Sequence, residues 1–197
     1  DGNFIGYYEN EIDKYNQTYY QLHYAHSFNQ NLILTASAFL TTGKGYYENY
    51  KNDKKLSSYG LPSFTIGDSI ISRVNLIQQK WLDNKFYGVN INLNQKAGRF
   101  DINYGGSWNK YDGNHYGIIN WAEFAVPLNY RWYENKGKKQ YYNVFVSSNY
   151  EFNSYLNFFA EIQYRHINYD LNGIHDDLND ITQNHIFNFW NPKGGVF

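Results

Sequence analysis

Polar and apolar residues alternate along this chain in three copies of one plan: strand, tight turn, strand, long polar loop. The clearest copy runs over residues 18–40. Tyr20, Leu22, Tyr24 and Phe28 fall on one face, and Gln21, His23, Ala25 and Ser27 on the other. A short Asn29-Gln30-Asn31 turn follows, after which Leu32, Leu34, Ala36, Ala38 and Leu40 share a face. A period of two kept up over that length predicts β-strands with one apolar and one wet side. In the second copy Tyr87, Val89, Ile91 and Leu93 alternate with Gly88, Asn90, Asn92 and Asn94. The turn spans 95–98, where Gly98 suits a positive φ. Phe100, Ile102, Tyr104 and Trp108 then oppose Asp101, Asn103, Gly105, Ser107 and Asn109. The third copy sets Tyr142, Val144, Val146, Tyr150 and Phe152 against Tyr141, Asn143, Ser147 and Asn149. It turns at Asn153-Ser154 and returns with Leu156, Phe158, Ala160, Ile162 and Tyr164 opposite Asn157, Glu161, Gln163 and Arg165. Phe145 and Phe159 interrupt its polar side.

The hairpins are therefore expected at about 18–42, 85–109 and 140–168, with long loops at about 43–84, 110–139 and 170–187. A further strand is expected to start at about 191–197. Ile70-Ile71 and Val74, Leu76 and Ile77 read as a short helix or a loop-borne strand, within an excursion that returns at Lys80-Trp81. Each hairpin strand reaches the roughly 9–11 tilted residues that cross a bilayer. Short turns at one end and long loops at the other are what outer-membrane barrels show. The predicted class is all-β: an antiparallel up-and-down meander of long hairpins, a fragment of a transmembrane β-barrel, with 1–197 as a single partial barrel segment. Tyr19, Tyr20, Tyr46, Tyr47, Trp81, Phe86, Trp108 and Tyr111 gather near strand ends, as suits a membrane–water interface. A soluble antiparallel sheet on a core gives the same alternation. Two features favour the barrel: strands longer than the usual soluble length of about 5–6 residues, and the sorting of short and long connections to opposite ends.

Composition sharpens this picture. Aromatics make up 21% of the 197 residues, with 22 Tyr, while hydrophobic content is an ordinary 42%. The mean hydropathy of −0.71 fits a barrel as well as a soluble chain, because a barrel lumen is polar. No apolar run approaches the roughly 18–20 residues of a membrane helix, so helical insertion is excluded. The chain has no Cys, which excludes disulfides and thiolate metal sites. A net charge of −1 argues against nucleic acid as a partner. The chain begins at Asp1 and has no Met, so a fragment or processed product is expected.

Several segments together resemble a known family. They are 43–51 (GKGYYENYK), 59–62 (YGLP), 80–88 (KWLDNKFYG), 106–117 (GSWNKYDGNHYG), 163–169 (QYRHINY) and 187–195 (FNFWNPKGG). In this order they are similar to the barrel of TonB-dependent outer-membrane receptors of Gram-negative bacteria. The resemblance implies a barrel of about twenty-two strands around an N-terminal plug, located in the outer membrane. It also implies active uptake of a siderophore, haem, cobalamin or glycan, energised through TonB. The partners implied are outer-membrane lipid, the remaining barrel strands and plug, and TonB through that plug. This chain carries six or seven of the strands and no plug or TonB-contacting segment. It is thus expected to work only as part of an intact receptor, with two open edges that need pairing.

Candidate chemistry is sparse. Tyr46, Tyr47, Tyr111, His115, Tyr116 and Trp121 form a loop-borne set able to stack on a sugar or siderophore; the bland alternative is an interfacial girdle. Lipid contact is expected for Tyr20, Leu22, Tyr24, Leu32, Leu34, Val89, Ile91, Leu93, Phe100, Ile102, Val144, Val146, Phe158 and Ile162. The expected lumen wall is Gln21, His23, Asn90, Asn92, Asp101, Asn103, Asn143, Asn149, Glu161, Gln163 and Arg165. His175, Asp176, Asp177, Asp180 and His185 offer carboxylate and imidazole ligands for a metal, although Asp is common in solvated loops. There is no nucleophile elbow, phosphate loop or HExxH motif, so neither enzymatic activity nor a cofactor is expected. The second reading is a soluble β-rich module that binds glycans through loop aromatics. A self-contained barrel of eight strands is a weaker third, since no closing strand is evident.

Overall fold

The computed structural model describes residues 11–124 and 126–197. In chain order it has β1 (Ile12–Asn29) and β2 (Leu32–Lys55), then a 3-10 turn at Leu56–Tyr59. A short pair follows, β3 (Phe64–Ile66) and β4 (Ser69–Ile71). The remaining strands are β5 (Arg73–Ala97), β6 (Phe100–Ala122), β7 (Tyr130–Asn153), β8 (Leu156–Gly173) and β9 (Gln183–Val196). The long strands form one antiparallel sheet in the order β1-β2-β5-β6-β7-β8-β9, an up-and-down meander whose two edges, β1 and β9, do not meet. Among the described residues β3 and β4 pair only with each other.

Register lines the alternating residues into rows that cross the whole sheet. One apolar row reads Tyr24, Ala36, Ile91, Gly106, Val144, Tyr164, Trp190. The polar row on the reverse reads His23, Ser37, Asn90, Ser107, Asn143, Arg165, Phe189. The apolar rows stay open to the surroundings: Leu22 is 69% exposed, Val144 58% and Ile91 54%. Among the described residues no second layer covers them, since every extensive contact between the long strands is between neighbours in the sheet. That is the pattern of a wall with hydrocarbon on one side, and it departs from a soluble sandwich, whose apolar faces pack on each other. Aromatic pairs bound the apolar band at both ends. Phe100–Tyr150 (4.5 Å) and Phe152–Phe158 (6.3 Å) lie by the short turns. Tyr87–Trp108 (5.7 Å) and Tyr142–His166 (4.5 Å) lie towards the long loops. With strands tilted as in a barrel, the rows between span about 25 Å, the usual apolar height of such walls.

The strands outrun the hairpin limits read from sequence. β2 continues through Tyr46–Lys51 to Lys55, and β5 begins at Arg73, so much of 43–84 is paired backbone. Most of 110–139 belongs to β6 and β7. β9 begins at Gln183, not near 191. Gly, Asn and Asp mark turns in an isolated chain, but a ladder with a partner on each side satisfies their backbone groups and keeps them extended. The excursion is resolved in the same way: Ile70-Ile71 sits in β4, and Val74 to Ile77 in β5. The sorting of connections holds throughout. Two-residue turns join β1–β2, β5–β6 and β7–β8, and the longer connections all lie at the other end.

Among the described residues, only that end has a packed interior. Leu56, Tyr59, Val74, Leu76, Ile119, Trp132 and Tyr133 are buried together, with Phe64, Ile71, Val126 and Leu178 against them. Register shifts aim side chains into the cluster: Trp132 bulges out between the Gly117–Tyr133 and Ile118–Arg131 pairs. Trp132 and Tyr133 both lie over Gly117, whose place could not hold a Cβ without striking their rings.

Candidate functional site

The loops fold onto the polar face and leave a cleft of about 600 Å³ above the sheet. Its floor crosses five strands, because Tyr15, Gly45, Leu82, His115 and Asn135 are register partners in turn. Tyr47, Lys80 and Tyr133 flank this row, and His175 and Asp176 of the β8–β9 loop form the roof. Tyr15 lies across Gly43 and Gly45, where a Cβ would collide with it, and its hydroxyl donates to Asn84 Oδ1 at 3.2 Å.

The roof is tied down by donors from the sheet. Lys80 Nζ donates to, and pairs with, Asp176 Oδ2. Trp132 Nε1 donates to the Asp176 carbonyl (3.3 Å), and Asn135 Nδ2 to the Ile174 carbonyl (3.0 Å). Within the loop, Asp177 accepts from the Asn179 amide (3.1 Å) and from Asn179 Nδ2 (2.8 Å), and Asp180 accepts from the Thr182 amide (2.8 Å). Hydrogen bonds of this kind favour the carboxylate; those from Asn179 hold Asp177, and those from the Thr182 side chain and amide hold Asp180, below the usual carboxyl range. Beneath the roof, Tyr59 donates to Gln78 Oε1 at 2.7 Å. Burial, helped by the charge of Asp176, pushes its hydroxyl up to about 12.

The expected stacking set does not converge. Tyr46 and Tyr116 lie on the apolar-side face, sandwiching Trp81 at 4.5 and 5.8 Å, with the Arg131 guanidinium 4.2 Å over the Tyr116 ring. Trp121 pairs with Ile77 on that same face and is 48% exposed. Tyr47 and His115 line the cleft on the polar face. Tyr111 is on the polar face too, but two rows nearer the short turns, lying over Gly113. The cleft instead uses Tyr15, Lys80, Tyr133 and Asn135, which the sequence reading passed over. Lys80 had a detectable signal: it falls on the polar side when the alternation of β5 is counted back from Asn90.

The residues read as a lumen wall share the polar face. Asn90 Nδ2 donates to Ser37 Oγ (3.2 Å), and Asn94 Nδ2 donates to Asp101 (2.7 Å) and Asn103 (2.9 Å). Lys193 Nζ donates to Glu161 (2.6 Å), and Asn191 Nδ2 to Gln163 (3.3 Å). Gln21 and His23 contact each other at 3.5 Å. Arg165 sits between the Tyr141 and Phe189 rings, 5.9 and 5.6 Å from their centres. Of this face, His23, Ser37, Asn90, Asn92, Ser107 and Asn143 border a second depression of about 630 Å³ at mid-sheet.

Of the metal-ligand candidates, His175, Asp176 and Asp177 come together, with ligand atoms within 4.8 Å of one another. His175 Nδ1 is 3.0 Å from Asp176 and 3.1 Å from Asp177. Their carboxylates already serve Lys80 and Asn179, which is the work of building the loop. His185 stands apart on β9, opposite Tyr169, with Nε2 2.9 Å from Gln183 Oε1.

No family model matches the sequence, and no curated protein matches it. Solved structures do. The ferric-catecholate import receptor Fiu from E. coli K12 matches in its open form with a TM-score of 0.60 at 12% identity, over 98% of this chain and 33% of the receptor. Its closed form matches with a TM-score of 0.58 at 13% identity, over 99% and 31%. The fold is a segment of a transmembrane β-barrel. The chain spans about a third of the receptor it matches, and these structural neighbours are transport receptors, not enzymes.

Proposed function

We propose that the chain forms part of the barrel of a TonB-dependent outer-membrane receptor of a Gram-negative bacterium, for active uptake of an iron complex or another scarce nutrient. The observation that supports this best is the continuous exposed apolar band, framed by aromatics and backed by a continuous polar face. In this reading the apolar face meets lipid, the polar face is the lumen wall, and further strands of the receptor pair with β1 and β9. Closure is needed because a barrel leaves no edge. The mid-sheet depression then faces the plug, and the roofed cleft lies at the mouth, where an incoming ligand first meets Tyr47, Lys80 and His115. TonB acts through the plug, and the nutrient is a siderophore, haem, cobalamin or glycan.

The test uses the full-length protein in its native membrane. Expected results are extraction only with detergent, and uptake of radiolabelled ferric catecholate or another of these nutrients that stops when the cytoplasmic-membrane proton gradient is collapsed. A monodisperse, detergent-free monomer that binds glycans would overturn this reading in favour of a soluble recognition module.

A further inference from the structure

On the apolar-side face, just beyond the Tyr87–Trp108 aromatic level, the rows turn basic. Lys110 pairs in register with Tyr87, and the next row reads Lys85, Asp112, Lys138. Register puts Lys110 diagonal to both other lysines, so the three backbone positions fall within a patch about 10 Å across. Two of the nearby carboxylates are already paired. Asp112 pairs with Lys136 (3.1 Å) and Asp83 with Lys44 (3.1 Å). Asp170 lies opposite Lys138 in register but forms no ion pair with it. Among the described residues, Lys85, Lys110 and Lys138 have no ion-pair partner, and Lys85 and Lys138 are exposed.

This patch starts within one row, about 7 Å, of the apolar band. That is the depth of the headgroup layer, which adds several ångströms beyond the hydrocarbon on each side. Long lysine stems can lie along the aromatic ring while their heads reach outward. We propose that Lys85, Lys110 and Lys138 form a binding site for the phosphate groups of membrane lipids at the long-loop side of the membrane. The site rests on the transmembrane reading given above. Complementarity of charge selects an anionic headgroup over a zwitterionic one, and the aromatic row fixes the depth at which the phosphate is met.

The experiment compares the full-length protein with a Lys85→Gln/Lys110→Gln/Lys138→Gln variant. Each is incorporated into phosphatidylcholine vesicles with or without a phosphorylated glycolipid, and bound glycolipid is counted by native mass spectrometry. Neutralising three cations, each worth roughly fivefold near a charged surface, should weaken glycolipid retention by about 100-fold. Lys139→Gln, at the same level on the opposite face, should retain it fully. The triple Lys→Arg variant should also retain it, which keeps the test decisive if the Gln variant fails to assemble. Equal retention by the Gln variant, equal loss in Lys139→Gln, or displacement by free pyrophosphate with no preference for lipid would overturn the site. Such a result in a protein that still needs detergent for extraction leaves the transmembrane reading standing; detergent-free solubility sinks both.

Discussion

Placing a charge on either face of β5 at mid-sheet separates a membrane wall from any water-soluble sheet. Ile91 is the position to use. It pairs with Ala36 and Gly106 in the middle apolar row and is 54% exposed. In water, replacing so exposed a residue with Arg would cost little, because surface substitutions usually stay within about 0.5 kcal/mol. In a bilayer, Arg at the midplane of a barrel wall costs about 2–4 kcal/mol, which is roughly 30- to 800-fold in the folding equilibrium. The neighbouring position supplies the control. Asn90 points to the polar face, where its amide donates to Ser37 Oγ. Asn90→Arg loses that bond, at about 0.5–1.5 kcal/mol, but the longer side chain has the 630 Å³ depression to enter. The assay is urea unfolding of the full-length protein in lipid vesicles, followed by the gel shift between folded and boiled forms. Ile91→Arg should lower stability by at least about 2 kcal/mol and reduce assembly in the membrane. Asn90→Arg should stay within about 1.5 kcal/mol of the parent. Equal damage from the two, or greater damage from Asn90→Arg, would refute the assignment of faces.

Three further outcomes follow from the loop end. Gly45→Ala should loosen β1, because the new Cβ meets the Lys14 carbonyl and the Tyr15 backbone; the cost is about 1–3 kcal/mol, seen as faster amide exchange confined to β1. Lys80→Ala should release the roof of the cleft. The Lys80–Asp176 pair is only 23% and 31% exposed, which puts its loss at about 1–2 kcal/mol, between exposed and buried pairs, read as protease cleavage within 174–182 while the sheet stays intact. The same loop should be acid-sensitive: Asp177 and Asp180 sit below their ordinary values, so their contribution is present above the unfolded carboxyl value of about 3.9 and is lost as pH falls through the lower folded values. Amide shifts of Asn179 and Thr182 should move together in that acid window; unchanged shifts there would contradict the caps.

The faces of the wall were legible in sequence, and the reach of its strands was not, for one physical reason. Inside the bilayer a strand must be greasy on one side and polar on the other, so Leu32–Leu40, Tyr87–Leu93 and Val144–Tyr150 announce themselves by alternation. Beyond the bilayer both faces meet water, and the alternation fades into segments such as Asp112 to His115 that look like turns. What holds them extended is the ladder to neighbouring strands, which no single stretch of sequence displays. The cleft follows the same logic. Counting by twos from Leu40 places Tyr46 outward and Tyr47 inward with no bulge between, so the split of the stacking set was available from parity. Trp132 was not, because the bulge at Gly117/Ile118 shifts the register between β6 and β7. The packed cluster was hidden too, because Leu56, Val74, Ile119 and Trp132 come from separate segments and meet only through tertiary contact. That cluster packs the loop end together. It fixes Asp176 over Lys80, and so makes a defined cleft out of connections that, taken one by one, read as solvated polar chain.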